Sequence, residues 1–272
     1  MGAKILFLDL DGTLFNDAKE VTPENRAALE RARGQGCRIA ISTGRALPGA
    51  MGLVRELGLT GEGCYVSASN GGVLYDCGQD KVISRRLLPM EDAEELFAYA
   101  HGCGLHVQTY DREGVVVMRP FNESFVEEYC RINNAMPWRV VGSLAELAEP
   151  PVKVLLMGPE DRAALEEAKA WIAGHMARRA ECFYSSSILL DVMPAGVNKG
   201  FGLREMCRRL GIDVKDSVAA GDEANDIPML RAAGVGAAMA NAAPEVKAAA
   251  DYVTERDNNH DGIEEIIRKF IL

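Results

Sequence analysis

Four carboxylates carry the chemistry that this sequence could perform. Asp9 and Asp11 stand in Asp9-Leu10-Asp11-Gly12-Thr13-Leu14, at the end of the apolar run Lys4–Leu10. Residues two apart in extended backbone project to the same side. Gly12 lets the chain leave a strand sharply and brings backbone N–H groups close to a ligand. Two carboxylates this close are not both comfortable as anions without a cation or a shared proton. One reading is a nucleophile and an acid/base beside a hard metal ion. The other is an Asp-Gly turn capped by side-chain hydrogen bonds. This segment alone leaves the two about level.

A second acidic stretch, Gly221-Asp222-Glu223-Ala224-Asn225-Asp226, shifts the balance. It follows the small-residue run Ser217–Ala220 and opens a helix. Asp222 and Asp226 are i, i+4, so both can face one site. An acidic helix start that complements the helix dipole accounts for Asp222 or Glu223. It does not account for four clustered polar groups. Two acidic strand ends in one parallel sheet suit magnesium, which takes one or two carboxylates together with substrate phosphate and water.

Such a site needs positive charge. Lys199, in Asn198-Lys199-Gly200, precedes a helix and can point to the same sheet edge. Ser42-Thr43-Gly44-Arg45 ends a strand and opens a helix, which suits a phosphate at a helix N-terminus. A lysine 4 Å from an anion contributes about 4 kcal/mol at an effective dielectric near 20. That is comparable to each carboxylate–phosphate repulsion. The plainer alternatives are a solvated lysine at Lys199 and a simple N-cap at Ser42-Thr43.

The elements that must position these groups can be read from the hydrophobic pattern. Lys4–Leu10, Cys37–Ser42 and Cys64–Ser67 look like buried parallel strands. Between them lie helices from Pro23, capped by Thr22, and over Leu47–Leu57. The middle of the chain mixes hairpins at Val73–Ser84 and Leu105–Met118 with helices at Glu91–His101, Phe125–Asn133 and Asp161–Met176. Strand–helix alternation returns after Asn198. Asp261 and Glu264 suggest a capping box on the last helix. The fold class is α/β: a doubly wound parallel sheet over residues 1–84 and 190–272, interrupted by an α+β domain over 85–189.

Composition sets the outer bounds. The chain has 272 residues, 48% hydrophobic and 26% charged, enough for one or two packed domains and against wholesale disorder. Its net charge of -10 repels phosphate backbones at long range, so no nucleic-acid partner is expected. Nor is a membrane partner: no apolar run approaches the roughly 20 residues that a span needs. Ile5–Leu8 is also too short for a signal-peptide core, and Leu6 stands where a myristoylation motif wants Ser or Thr. Seven scattered cysteines without a C-x-x-C pair fit a reducing cytoplasm. His101, Cys103 and His106 come close in sequence, but no fourth zinc ligand accompanies them. A monomer or small homo-oligomer is expected.

Taken in order, DxDGT near the start, Thr43 after the second strand, the late Lys199 and GDxxND resemble the haloacid dehalogenase-like superfamily. The resemblance spans nearly the whole chain. About 28 residues separate Leu14 from Thr43, room for one helix only, and the large insert follows the third strand. With Thr43-Gly44-Arg45 and Asn70-Gly71-Gly72, this looks like the Cof-type (subclass IIB) sugar-phosphatase branch, which has a Rossmann-like core and an inserted α+β cap.

The resemblance implies roles. Asp9 would attack phosphorus and form an aspartyl-phosphate. Asp11 would protonate the leaving alkoxide and then activate water. Mg²⁺ would be held by the Asp9 carboxylate, the Asp11 carbonyl and Asp222, with Asp226 and Glu223 in support. Thr43, Lys199 and backbone N–H groups near Leu10, Gly12 and Gly44 would hold the phosphoryl oxygens. Asn198 and Asn225 would add phosphate or support contacts, and Arg45 a substrate contact. The implied substrate is a small phosphorylated metabolite, most readily a sugar phosphate. A phosphomutase of the same superfamily and a phospho-accepting or phosphosugar-binding regulator are the rival readings. The first-strand DxDGT, the complete Asp9–Asp11 pair and the large insert speak against the regulators.

Overall fold

The computed structural model describes residues 4–133, 135–158 and 162–272. The first stretch of chain runs β1 (Ile5–Leu8), α1 (Pro23–Gly34), β2 (Arg38–Ser42), α2 (Leu47–Glu56), β3 (Cys64–Ala68), β4 (Val73–Asp76) and β5 (Lys81–Arg85). The middle runs α3 (Met90–Gly102), β6 (His106–Tyr110), β7 (Val115–Met118), α4 (Glu123–Ile132), β8 (Trp138–Val141), β9 (Val154–Met157), α5 (Arg162–His175), β10 (Ala180–Ser186) and β11 (Leu189–Pro194). The last stretch runs α6 (Lys199–Leu210), β12 (Ser217–Gly221), α7 (Ile227–Ala232), β13 (Val235–Ala238), α8 (Pro244–Ala249), β14 (Tyr252–Val253) and α9 (Gly262–Phe270).

The chain divides into two compact units. The first comprises Met1–Thr43, Val54–Ser84 and Asn198–Leu272. The second comprises Gly44–Leu53 and Arg85–Val197.

The first unit is built on an eight-stranded sheet in the order β14-β13-β12-β1-β2-β3-β4-β5. Strands β14 through β3 run parallel, and β4 pairs antiparallel with β3. All four residues of β1 are buried, as expected of a central parallel strand covered on both faces. Helix α1 starts where the sequence expects it. The Thr22 hydroxyl accepts from the Asn25 N–H at 3.3 Å, and Pro23 fills the first turn.

The last helix departs from expectation. Asp261 adopts a left-handed backbone, φ 66°, and its side chain caps nothing on α9. Its carboxylate instead accepts from the Thr22 hydroxyl at 2.6 Å. The Asn25 side chain supplies the cap, accepting from the Glu264 N–H at 2.8 Å. A partner 239 residues away in sequence replaced the local one, which no local motif can announce.

The second unit holds a six-stranded sheet in the order β10-β11-β9-β6-β7-β8. Its pairs are antiparallel except β7–β8. Alternation along the strands separates two apolar layers. Val107 and Leu156, paired in register, pack with Leu96, Phe97 and Ile172. Tyr110 and Leu155 belong to the other layer, with Tyr129, Val117 and Ala46.

Candidate active site

Two strand ends bring the acids of the first unit together. β1 and β12 are neighbours in parallel register, Leu8 opposite Ala220. From β1 the chain winds outward through β2 and β3, and later returns to build β12, β13 and β14 on the other side. Such a reversal of strand order leaves a crevice at the carboxyl ends, where open α/β sheets bind ligands. Asp9 leaves β1 at this point, its N–H donating to the Ala220 carbonyl at 3.1 Å. Asp222 follows β12 directly. Carboxylate oxygens of Asp9, Asp222 and Asp226 lie within 4.8 Å of one another, and all three residues are buried.

Lys199 answers that charge. It opens α6, where Asn198 is the N-cap and accepts from the Phe201 N–H at 3.0 Å. Lys199 is 1% exposed, so its ammonium depends on protein partners. It donates to Asp9 Oδ1 at 2.5 Å and to Asp226 Oδ1 at 2.6 Å. The other oxygen of Asp226 accepts from the backbone N–H groups of Asp222 at 3.0 Å and Glu223 at 3.1 Å. Both oxygens of Asp226 therefore serve the protein itself. Asp222 Oδ1 accepts from the Thr13 hydroxyl at 2.6 Å.

The balance of charge is unfavourable for three ionised acids. Burial raises the Asp9 pKa well above its ordinary value; Lys199 opposes the rise, and Asp226 and Asp222 add to it. Burial pushes Asp222 up to about 7 against the hydrogen bond from Thr13. Burial also works against the charge on Lys199, but Asp226 and Asp9 outweigh it and hold the ammonium above its usual pKa. One ammonium faces three buried carboxylates. An all-oxygen donor set with surplus negative charge fits a hard divalent cation. Among the described residues, these acids are the one group of three metal-ligating side chains so placed. His101, Cys103 and His106 form no such group; the His106 ring instead meets Gln108 Oε1 at 3.2 Å.

Asp11 is placed differently from Asp9. β1 ends at Leu8, so the pair does not share the extended backbone that its spacing suggests. The chain curls instead: the Leu14 N–H reaches the Asp9 carbonyl at 3.3 Å, and the Phe15 N–H reaches the Leu10 carbonyl at 2.8 Å. Gly12, at φ +77°, makes the curl. A Cβ on Gly12 would come within 2.3 Å of Asp222 Oδ2. The Asp11 carboxylate accepts from Lys19 Nζ at 2.8 Å, with side chains 42% and 63% exposed respectively. It is a carboxylate in contact with solvent.

The remaining residues fall into two sets. Thr43 is buried; its N–H donates to the Ser67 carbonyl at 2.9 Å, and its carbonyl accepts from the Asn70 N–H at 3.0 Å. Asn225 donates to Asn70 Oδ1 at 3.3 Å. The Glu223 side chain is exposed. Gly44 and Arg45 belong to the second unit. The Gly44 carbonyl there accepts from Lys153 Nζ at 2.8 Å, and Arg45 Nη1 donates to Asn133 Oδ1 at 3.2 Å.

Three residues of the neighbourhood were assigned no role from sequence: Thr13, Lys19 and Asn70. Thr13 sits inside DxDGT, and Asn70 opens Asn70-Gly71-Gly72, so both had a local signal. Lys19 had none, since its reach to Asp11 depends on the turn at Gly12.

A family model described as haloacid dehalogenase-like hydrolase matches residues 6–267. A haloacid dehalogenase-like hydrolase structure from Bacteroides thetaiotaomicron is 30% identical with a TM-score of 0.87, covering 98% of this chain and 99% of that one. The HAD subclass IIB sugar phosphatase BT4131 is 26% identical with a TM-score of 0.81, covering 98% of each chain. The 5-amino-6-(5-phospho-D-ribitylamino)uracil phosphatase YcsE of Bacillus subtilis is 28% identical over 271 residues, 99% of this chain and 96% of its own. Among the described residues no helix is long and apolar enough to cross a membrane.

Proposed function

The chain belongs to the haloacid dehalogenase-like hydrolases and is a phosphatase of that family; from this premise we propose that it hydrolyses small phosphomonoesters, sugar phosphates foremost, with Mg²⁺ and through an aspartyl-phosphate on Asp9. One observation carries the reading most of the way: a fully buried lysine bonded to both Asp9 and Asp226, with Asp222 beside them. A buried surplus of negative charge is costly to fold. It calls for a cation beside it, and a bound cation with Lys199 is what lets a phosphoryl group approach Asp9.

In this reading an Asp9 carboxylate oxygen attacks phosphorus. The bond from phosphorus to the leaving oxygen breaks, and Asp11 gives that oxygen a proton. Water then attacks the phosphorus of the aspartyl-phosphate, Asp11 takes its proton, and the P–O bond to Asp9 opens. A partly exposed carboxylate that meets Lys19 suits a group that exchanges protons in both directions. Lys199, Thr43 and the backbone N–H groups of Leu10 and Gly12 hold the phosphoryl oxygens. Asp9, the Asp11 carbonyl and Asp222 would hold Mg²⁺, which offsets the joint charge of the carboxylates and the phosphoryl group. Asp226 fixes Lys199 and the turn at Asp222, and Asn225 with Asn70 braces the loop beside it. Gly44 and Arg45 enter through the family's pattern. The second unit is read as the part that selects the leaving group, and the likeness to a sugar phosphatase supports that substrate class.

The test is direct. Asp9→Asn is expected to abolish hydrolysis of an aryl phosphate, and EDTA to silence the wild type until Mg²⁺ is returned. Near-normal turnover by Asp9→Asn, or activity persisting in EDTA, would remove the nucleophile or the metal from the reading.

A further inference from the structure

The second unit contains a buried ion pair that the reaction above does not use. Lys153 Nζ lies 2.7 Å from Asp191 Oδ1, with side chains 3% and 1% exposed. Lys153 precedes β9 and Asp191 lies in β11, among apolar neighbours of the sheet. Apolar residues of similar volume would stabilise such a place as well or better, because both charges lose their water. The pair is explained by its third partner. Lys153 also donates to the Gly44 carbonyl at 2.8 Å, while its ammonium lies 5.0 Å from the centre of the Tyr110 ring.

Gly44 directly follows Thr43, and the next two residues are also held within the second unit. Arg45 bonds to Asn133 at 3.2 Å, and Ala46 packs in the layer of Tyr110 and Tyr129. Of these three holds, only the one on Gly44 fixes a peptide plane. Glycine has the widest choice of backbone conformation, so this peptide is the joint least determined by its own sequence. A trans peptide sets C=O and N–H in opposite directions. Fixing the Gly44 carbonyl on Lys153 therefore fixes where the Arg45 N–H points.

We propose that Lys153, held by Asp191, is a positioning residue that sets the Gly44–Arg45 peptide and through it the affinity of the Gly44-Arg45 segment for phosphate. Asp191 aims the ammonium; Lys153 does not touch substrate. The inference rests on the phosphatase reading only in taking that segment as phosphate-binding.

The experiment uses the full chain with Mg²⁺ and two readouts: calorimetric binding of inorganic phosphate, and kcat and KM on an aryl phosphate. Lys153→Met is expected to weaken phosphate binding and raise KM roughly tenfold, the equivalent of one charge-assisted hydrogen bond, with a much smaller change in kcat. It also takes a buried ammonium away from Asp191, so thermal stability falls. Lys153→Met with Asp191→Asn removes the unbalanced charge and is expected to recover stability while phosphate binding stays weak. Lys153→Arg, which keeps a donor, is expected to restore binding in part. Unchanged phosphate affinity in Lys153→Met overturns the inference, and so does a double variant that recovers affinity together with stability. Phosphate binding reads this inference even if wild-type turnover were missing, an outcome that would defeat the phosphatase reading instead. A wild type that binds no phosphate would overturn both.

Discussion

Replacing Lys199 by Met tests the electrostatic account of the site at its centre. The ammonium lies 2.5 Å from Asp9 Oδ1 and 2.6 Å from Asp226 Oδ1. At an effective dielectric near 20, each contact amounts to about 6 kcal/mol of attraction. Most of that is offset by the cost of removing three ions from water, several kcal/mol for each. Methionine fills the space of the lysine stem and leaves two carboxylates buried without their cation. Breaking a buried pair in this way costs about 3–5 kcal/mol. For a protein of this size, 1 kcal/mol moves the melting temperature by about 2–4 °C, so the variant is expected to melt roughly 6–20 °C lower. The sign with pH follows. Without Lys199 the Asp9 pKa is raised further, and an acid whose folded pKa lies above its unfolded value favours the folded state less as pH rises through that interval. The deficit is therefore largest near pH 7.5 and shrinks toward pH 5. Calorimetry in EDTA at both pH values reads it, and adding Asp226→Asn is expected to return part of the loss. A deficit below about 1 kcal/mol at pH 7.5, or one that grows on acidification, would refute the claim that Lys199 neutralises both acids.

Other consequences are as open to measurement. Gly12→Ala forces a side chain into φ +77° and within 2.3 Å of Asp222 Oδ2; it is expected to cost about 1–3 kcal/mol in backbone strain alone and to lower activity by displacing Asp222, and wild-type melting and turnover would contradict the contact. Burial pushes Asp222 up to about 7, and in the proposed reading Mg²⁺ binds its carboxylate form. Mg²⁺ affinity, measured by calorimetry, is therefore expected to rise as pH goes from 6 to 8 with release of a proton, and a pH-independent affinity would count against Asp222 as a ligand.

The doubly wound core and the α+β insert were legible because strand and helix periods are local properties. Ile5–Leu8 is apolar without a break, and Pro23 after Thr22 marks a helix start in any context. The acids were legible by type and spacing, since Asp9, Asp11, Asp222 and Asp226 sit at the ends of runs that could only be buried strands. Their individual states were not. Asp9 and Asp11 are two residues apart, yet one is buried against Lys199 and the other meets Lys19 at the surface. The turn at Gly12 separates them, and it is packed against an aspartate 210 positions later in the chain.

The sequence by itself determined which chemistry was available and at which strand ends it would stand. The tertiary structure decided the partnerships. Lys199 reaches Asp9 across 190 residues, Thr13 reaches Asp222 across 209, and Lys153 takes up Gly44 across 109. The reason is physical. Periodicity and capping act within a few residues, whereas burial, desolvation and the pairing of a buried charge depend on whatever the fold places beside it. The same carboxylate type therefore ends as a raised, lysine-bound acid at Asp9, a solvent-facing group at Asp11, and a brace for backbone N–H groups at Asp226.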